Sequence, residues 1–248
     1  MNLSLENKVI IVSGGARGIG EGIVKTLLEE KAIPVVIDQR VSSIEGVKTI
    51  QADLTNPQAC STAIEKIAKD FGGIDGLVNN AGVNDGVNLA NGNYQSFIDS
   101  LHKNLVHYYL LAHHALPYLK TSKGAIVNIS SKTAETGQGG TSAYAAANGG
   151  RNALTREWAV ELLPFGIRVN AVVVAECYTP MYQEWIQTQE NPEEKLQSIQ
   201  ANIPLGKRFT TPEEIGQTVS FLLSEKSSHT TGQLIHVDGG YVHLDRAL

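Results

Sequence analysis

Cysteine is scarce in this 248-residue chain, which has only Cys60 and Cys177. Two widely separated cysteines build no disulfide framework and lack the spacing of a metal knuckle, so a reducing, cytoplasmic setting is expected. Basic clusters are also missing. No run of Lys or Arg exceeds a pair and the net charge is −5, which argues against nucleic acid as a partner. The opening "MNLSLENK" has no apolar core of signal-peptide length, and no uninterrupted apolar run approaches a membrane span. Internal repeats and low-complexity segments are absent as well.

What is present is core-forming material, with 42% hydrophobic and 18% charged residues. Short Val- and Ile-rich runs at 8–12, 33–38, 74–80, 125–130, 167–174 and 233–240 read as buried strands, with 46–53 as a weaker seventh. Helical patterns at 18–30, 57–71, 94–119, 142–163 and 212–224 lie between them. Continuous rather than alternating apolar strands, interleaved with helices, imply a parallel sheet covered on both faces. The expectation is a single α/β domain over 1–248, doubly wound. Residues 175–211 break the rhythm with a long polar stretch after a strand, which reads as a helical lid over a site.

Directly after the first strand comes "SGGARGIG", with Gly14, Gly18 and Gly20 leading into a helix. Such glycines allow a tight turn and close backbone approach to a pyrophosphate, and the helix N-terminus adds free N–H groups and a positive dipole end. Asp38 ends the second strand, where a carboxylate accepts hydrogen bonds from both adenosine ribose hydroxyls and repels a 2′-phosphate. Gln39 follows where a phosphate site would prefer a base. With Arg17 and Arg40 the basic residues nearby, the pattern reads as NAD rather than NADP.

"SGGARGIG" (13–20), "NNAG" (79–82), Asn104 in a long helix, "IVNISS" (126–131), Tyr144 and "VDGG" (237–240) together resemble the short-chain dehydrogenase/reductase family. The likeness runs the length of the chain, in order. It implies a seven-stranded Rossmann-type sheet, a nicotinamide cofactor, commonly a homotetramer, and a catalytic Asn-Ser-Tyr-Lys set. Three members match Asn104, Ser131 and Tyr144; the lysine position, four after the tyrosine, is Asn148 in "YAAAN". Cofactor contacts carried over from the family fall on Gly14, Arg17, Gly18, Ile19, Gly20, Asp38, Asp53, Leu54, Asn80, Gly82, Tyr144, Asn148, Cys177 and Thr179. The family's proline-glycine pair after strand six is Val174 and Ala175 here. The stretches at 130–147, 153–162 and 175–182 and the tail "HLDRAL" (243–248) look most like the L-fucose dehydrogenase branch. That branch oxidises the anomeric carbon of a free sugar to a lactone.

In that chemistry Tyr144 would take the hydroxyl proton as the hydride departs, Ser131 would hold the substrate oxygen, and Asn104 would hold an ordered water. A family lysine stabilises the tyrosinate by its charge, which the Asn148 amide cannot do. Losing a nearby cation costs about ten- to a thousand-fold in rate. Sugar oxidation is therefore expected to be slow near neutral pH and to climb in alkali, with Lys132 a conceivable substitute. Gln138, Glu176, Tyr182 and Trp185 offer hydrogen bonds and aromatic faces suited to a sugar, or equally ordinary lid packing. Another short-chain reductase with an apolar pocket, or a catalytically weak dinucleotide-binding protein, are the competing functions. Of the helix histidines His102, His107, His113 and His114, only His107 and His114 share a face, too far apart for zinc, so no metal is expected.

Overall fold

The computed structural model describes residues 2–245. Seven parallel strands form one sheet in the order β3-β2-β1-β4-β5-β6-β7. They are β1 (Val9–Ser13), β2 (Ile33–Asp38), β3 (Lys48–Gln51), β4 (Gly76–Asn79), β5 (Ala125–Ser131), β6 (Arg168–Val174) and β7 (Leu234–Val237). The chain winds outward from β1 to β3, then returns across β1 to continue with β4. That reversal leaves a crevice beyond the carboxyl ends of β1 and β4, where ligands bind in open α/β sheets.

Helices α1 (Gly18–Glu29), α2 (Pro57–Phe71), α3 (Tyr94–Leu101), α4 (His107–Ser122), α5 (Ser142–Glu161), α6 (Pro180–Ile186), α7 (Pro192–Ala201) and α8 (Pro212–Leu223) complete the fold. Alternation along β1 shows the two layers. Val9 and Ile11 pack with α2, α4 and α5, whereas Ile10 and Val12 pack with α1 and α8. Local signals start and stop these helices. Asn56 caps α2 ahead of Pro57, and Gly72 closes it in the left-handed region at φ 80°. No described helix is long and apolar enough to cross a membrane.

Boundaries depart from the sequence expectation in three places. The long helix at 94–119 is α3 and α4 joined by a π-helical turn, His102–Val106, and it extends to Ser122. The seventh strand stops at Val237 because the Asp238 carboxylate accepts from the N–H groups of Gly240 and Val242 and folds "DGG" into a turn. The third strand shortens to four residues at the sheet edge. In the 175–211 excursion, α6 and α7 make it helical, and Thr210 N–H bonds the Glu176 carbonyl at 3.0 Å to close its base. The last three positions of the tail stretch 243–248 lie outside the described residues.

Candidate active site

A cavity of about 610 Å³ opens along the carboxyl edge of the sheet. Its wall includes Gly14, Arg17, Gly18, Ile19 and Gly20 of the glycine turn, with Asn80 and Thr179 against that turn, and also Asp38, Asp53, Leu54, Gly82, Ser131 and Tyr144. Gly14 and Gly18 have φ of 66° and 60°, a backbone region that side chains disfavour. A Cβ on Gly20 would overlap the Gly14 carbonyl, so the turn closes only on glycine. The Asn80 amide ties this turn to β4, donating to the carbonyls of Ser13 and Gly14 at 3.0 and 3.1 Å. Asp38 takes the Ala16 and Arg40 N–H groups at 3.2 and 3.0 Å, which aims its carboxylate into the cavity mouth. A helix N-terminus behind a glycine turn and a carboxylate on the same wall fit a dinucleotide. Arg17 is paired with Glu184 of the lid at 3.3 Å.

Ser131 ends β5 and Tyr144 stands in the first turn of α5, so strand and helix deliver both hydroxyls to one cavity. Asn104 sits inside the π turn. Its Oδ1 accepts from Val83 N–H at 2.7 Å and its Nδ2 donates to the Ser100 carbonyl at 3.0 Å, so the side chain braces the "NNAG" loop. The wider π turn releases a backbone carbonyl from the helical ladder. The Asn104 carbonyl accepts from Arg151 Nε at 2.7 Å.

Asn148 is fully buried and does not line the cavity. Its Nδ2 donates to the Tyr144 carbonyl at 2.8 Å and its Oδ1 accepts from Arg151 Nη1 at 2.9 Å. The amide is thus engaged at both ends within its own helix instead of facing a cofactor ribose. Arg151 is the residue that sequence reasoning passed over. It falls seven after Tyr144 and three after Asn148, on the same helical face, which was the available signal.

Of the lid residues, Glu176 is buried and ion-paired with Lys132, whose ammonium also lies 4.2 Å from the Tyr241 ring centroid. The Lys132 charge is therefore committed to Glu176. Burial, then the Glu176 charge, pushes the Tyr182 phenol up. Tyr182 meets Trp185 edge-on with centroids 5.1 Å apart, and Tyr178 and Phe209 join the cluster. Trp185 and Gln138 are exposed, and Cys177 is buried, its thiol pushed up to about 12 chiefly by that burial. None of Glu176, Tyr182, Trp185, Gln138 and Cys177 lies on the cavity wall.

Of the helix histidines, His107 is buried, and His113 stacks on Tyr109 and meets His114 edge-on with centroids 5.1 Å apart. A second pair of imidazoles, His236 and His243, meets beside Glu135, whose carboxylate lies 3.0 Å from His236 Nε2. Glu135 lies far from both histidines in sequence, and the end of β7 with the following turn brings them to it.

Residues 14–242 match a family model described as enoyl-(acyl carrier protein) reductase. The chain is 34% identical to the 3-oxoacyl-(acyl-carrier-protein) reductase FabG of Thermotoga maritima, over 97% of this chain and all of that protein. It is 33% identical to L-fucose dehydrogenase of Rattus norvegicus, over 94% of this chain and 88% of that protein. Among solved structures, the Cj0485 dehydrogenase superposes with a TM-score of 0.96 at 46% identity, covering 100% and 99% of the two chains. The aldohexose dehydrogenase of Thermoplasma acidophilum does so at 0.94 and 29% identity, covering 99% and 98%. The seven-stranded Rossmann-type fold agrees with these matches. The chain belongs to the short-chain dehydrogenase/reductase family of oxidoreductases acting on CH–OH groups.

Proposed function

We propose that this protein oxidises a free aldose of the L-fucose kind at its anomeric carbon, giving the lactone, with NAD as the hydride acceptor. The observation that carries the substrate half is the buried Glu176–Lys132 pair, next in sequence to Ser131 and beneath an aromatic lid root. The pair lies off the described cavity wall and keeps the lid root polar, a surrounding that disfavours an acyl chain and suits sugar hydroxyls. The likeness to L-fucose and aldohexose dehydrogenases supports the same reading. Asp38 on the cavity wall supports NAD, since its charge opposes a 2′-phosphate.

The glycine turn and Asp38 would hold NAD, which when bound would supply the hydride acceptor for the anomeric carbon. Around it, Ser131 orients the substrate oxygen by a hydrogen bond, and Tyr144 as phenolate takes the anomeric hydroxyl proton. The carbon loses hydride and the oxygen loses its proton, leaving the lactone carbonyl. Asn104 keeps the "NNAG" loop and the helix in register behind the site. The α6–α7 lid covers the sugar and excludes water. A homotetramer in the cytoplasm belongs to the same reading, with Tyr109 of α4 and Val160 of α5 among the exposed apolar residues available to an interface.

The 34% identity to FabG keeps a second reading, reduction of an oxoacyl substrate. The test is NADH formation with a panel of aldoses, beside oxidation of NADH and NADPH by an oxoacyl thioester, and NAD binding by calorimetry. Turnover of L-fucose or a stereochemical relative with NAD is expected. Oxoacyl reduction without aldose oxidation would replace the proposal, and NAD binding without turnover would favour a weakly catalytic dinucleotide binder. Asp38→Ala is expected to narrow the gap between NAD and NADP; preference of the unmodified protein for NADP would overturn the cofactor assignment.

A further inference from the structure

Arg151 is 2% exposed and forms no ion pair with any carboxylate among the described residues. A buried guanidinium without an anion is costly, and three hydrogen bonds and one aromatic ring hold this one in place. Nε donates to the Asn104 carbonyl, Nη1 donates to the Ile129 carbonyl at 3.2 Å and to Asn148 Oδ1 at 2.9 Å, and the group lies 4.3 Å from the Tyr108 ring centroid. Nη2 is buried with no hydrogen-bond partner, and a Cβ at Gly82 would fall 2.8 Å from it. The cation therefore lies just beneath the "NNAG" loop, with its centre 6.0 Å from the Tyr144 ring centroid.

We propose that Arg151 supplies the positive charge of this active site, favouring the phenolate of Tyr144 from within α5 while Asn148 holds the guanidinium in place. This rests on the dehydrogenase reading only for its catalytic consequence. The phenol proton leaves to solvent, and the phenolate formed then accepts the substrate proton.

The groups facing Arg151 leave its charge uncancelled. From α4, burial and then the Arg151 charge push His107 down to about 3, so its ring is neutral, and burial pushes the Tyr108 phenol up, so it is neutral too. Lys103 of the π turn is paired with Asp85 at 3.5 Å, and Lys132 after β5 is paired with Glu176. Tyr144 is the acidic group that remains to answer Arg151. Arg151 thus acts through Tyr144 as a positioning residue, and Asn148 is its ligand on the helix.

The test titrates the ultraviolet phenolate band of the unmodified protein and of Arg151→Met, each referenced to the same protein carrying Tyr144→Phe. Arg151→Met is expected to move the Tyr144 step to higher pH by about one unit or more, and Arg151→Lys to retain most of the original position. In parallel, Arg151→Met should lower the neutral-pH rate of aldose oxidation roughly tenfold or more, recover in alkali, and be rescued by a second change, Asn148→Lys. Asn148→Lys alone should gain little, because the charge is already present. An unchanged phenolate step in Arg151→Met, or a large gain from Asn148→Lys alone, would overturn the proposal. Should Arg151→Met fail to fold by circular dichroism, Arg151→Lys and the double variant decide by the same titration. Absence of aldose oxidation at every pH would remove the sugar reading while the phenolate titration still judged Arg151.

Discussion

Glu176 and Lys132 have side chains only 10% and 11% exposed, so neither charge can be relieved by water if its partner is removed. Breaking such a pair from one side costs roughly 3–5 kcal/mol, whereas removing both charges is nearly neutral. Glu176→Gln should therefore lower stability by about 3 kcal/mol in denaturant unfolding, and Glu176→Gln with Lys132→Met should recover most of it. Trp185→Ala tests the other half of the lid root. Removing this half-exposed ring should raise the KM for sugar severalfold, at about 1 kcal/mol, with NAD affinity by calorimetry unchanged. Equal loss of NAD affinity would mean that the lid serves the cofactor. Ser131 and Tyr144 were legible through the family resemblance, and one strand end and one helix start bring both to the cavity wall. Arg151 was harder to find. Its meaning lies in carbonyls of Asn104 and Ile129 on other elements, and in the absence of an anion that only packing reveals.

At the scale of the element, α5 carries a polar seam where a buried helix would ordinarily be apolar. Tyr144, Asn148, Arg151 and Thr155 repeat at helical spacing, and Thr155 Oγ1 receives the Asn128 amide, which in turn takes the Asn79 amide across β4 and β5. That seam explains why the apolar periodicity of 142–163 is weak although its helix is long. The joint between α3 and α4 was not legible, since a π turn differs from an α turn by one residue and leaves no compositional mark. The lid start and the helix at 212 were legible, because Pro180 and Pro212 each follow a capping threonine. In α8, Thr211 accepts from Glu214 N–H and the Glu214 carboxylate accepts from Thr211 N–H, a reciprocal cap. Thr211→Ala should cost about 1 kcal/mol by thermal unfolding, and Thr211→Ser should restore most of that. A loss near zero would mean that packing on α1 alone sets the start of α8.

Across the whole molecule, the buried neutral His107 couples the fold to pH. Its ring is pushed down to about 3 from the ordinary 6.5, so below about 6.5 the unfolded chain binds a proton that the folded one refuses. Stability is then fully present above that value and declines as pH falls from 6.5 toward 3. Replacing His107 by Gln should flatten this acid limb in urea titrations; an identical limb in the variant would place the coupling elsewhere. A parallel sheet covered on both faces was readable from the alternation of strands and helices along the chain, as the α1–α8 contact was not. There Gly22 and Gly216 let two helices meet so closely that a Cβ on either would overlap Pro212 or Thr26. Distance along the sequence hides such a contact. The bond between Thr210 and Glu176 has a mechanical outcome of its own. It makes the lid a loop with a fastened neck, so a single backbone cut between the exposed Gln187 and Thr188 would sever the chain without releasing either part. The nicked protein should keep its sheet and migrate as one particle, separating into two fragments only in denaturant.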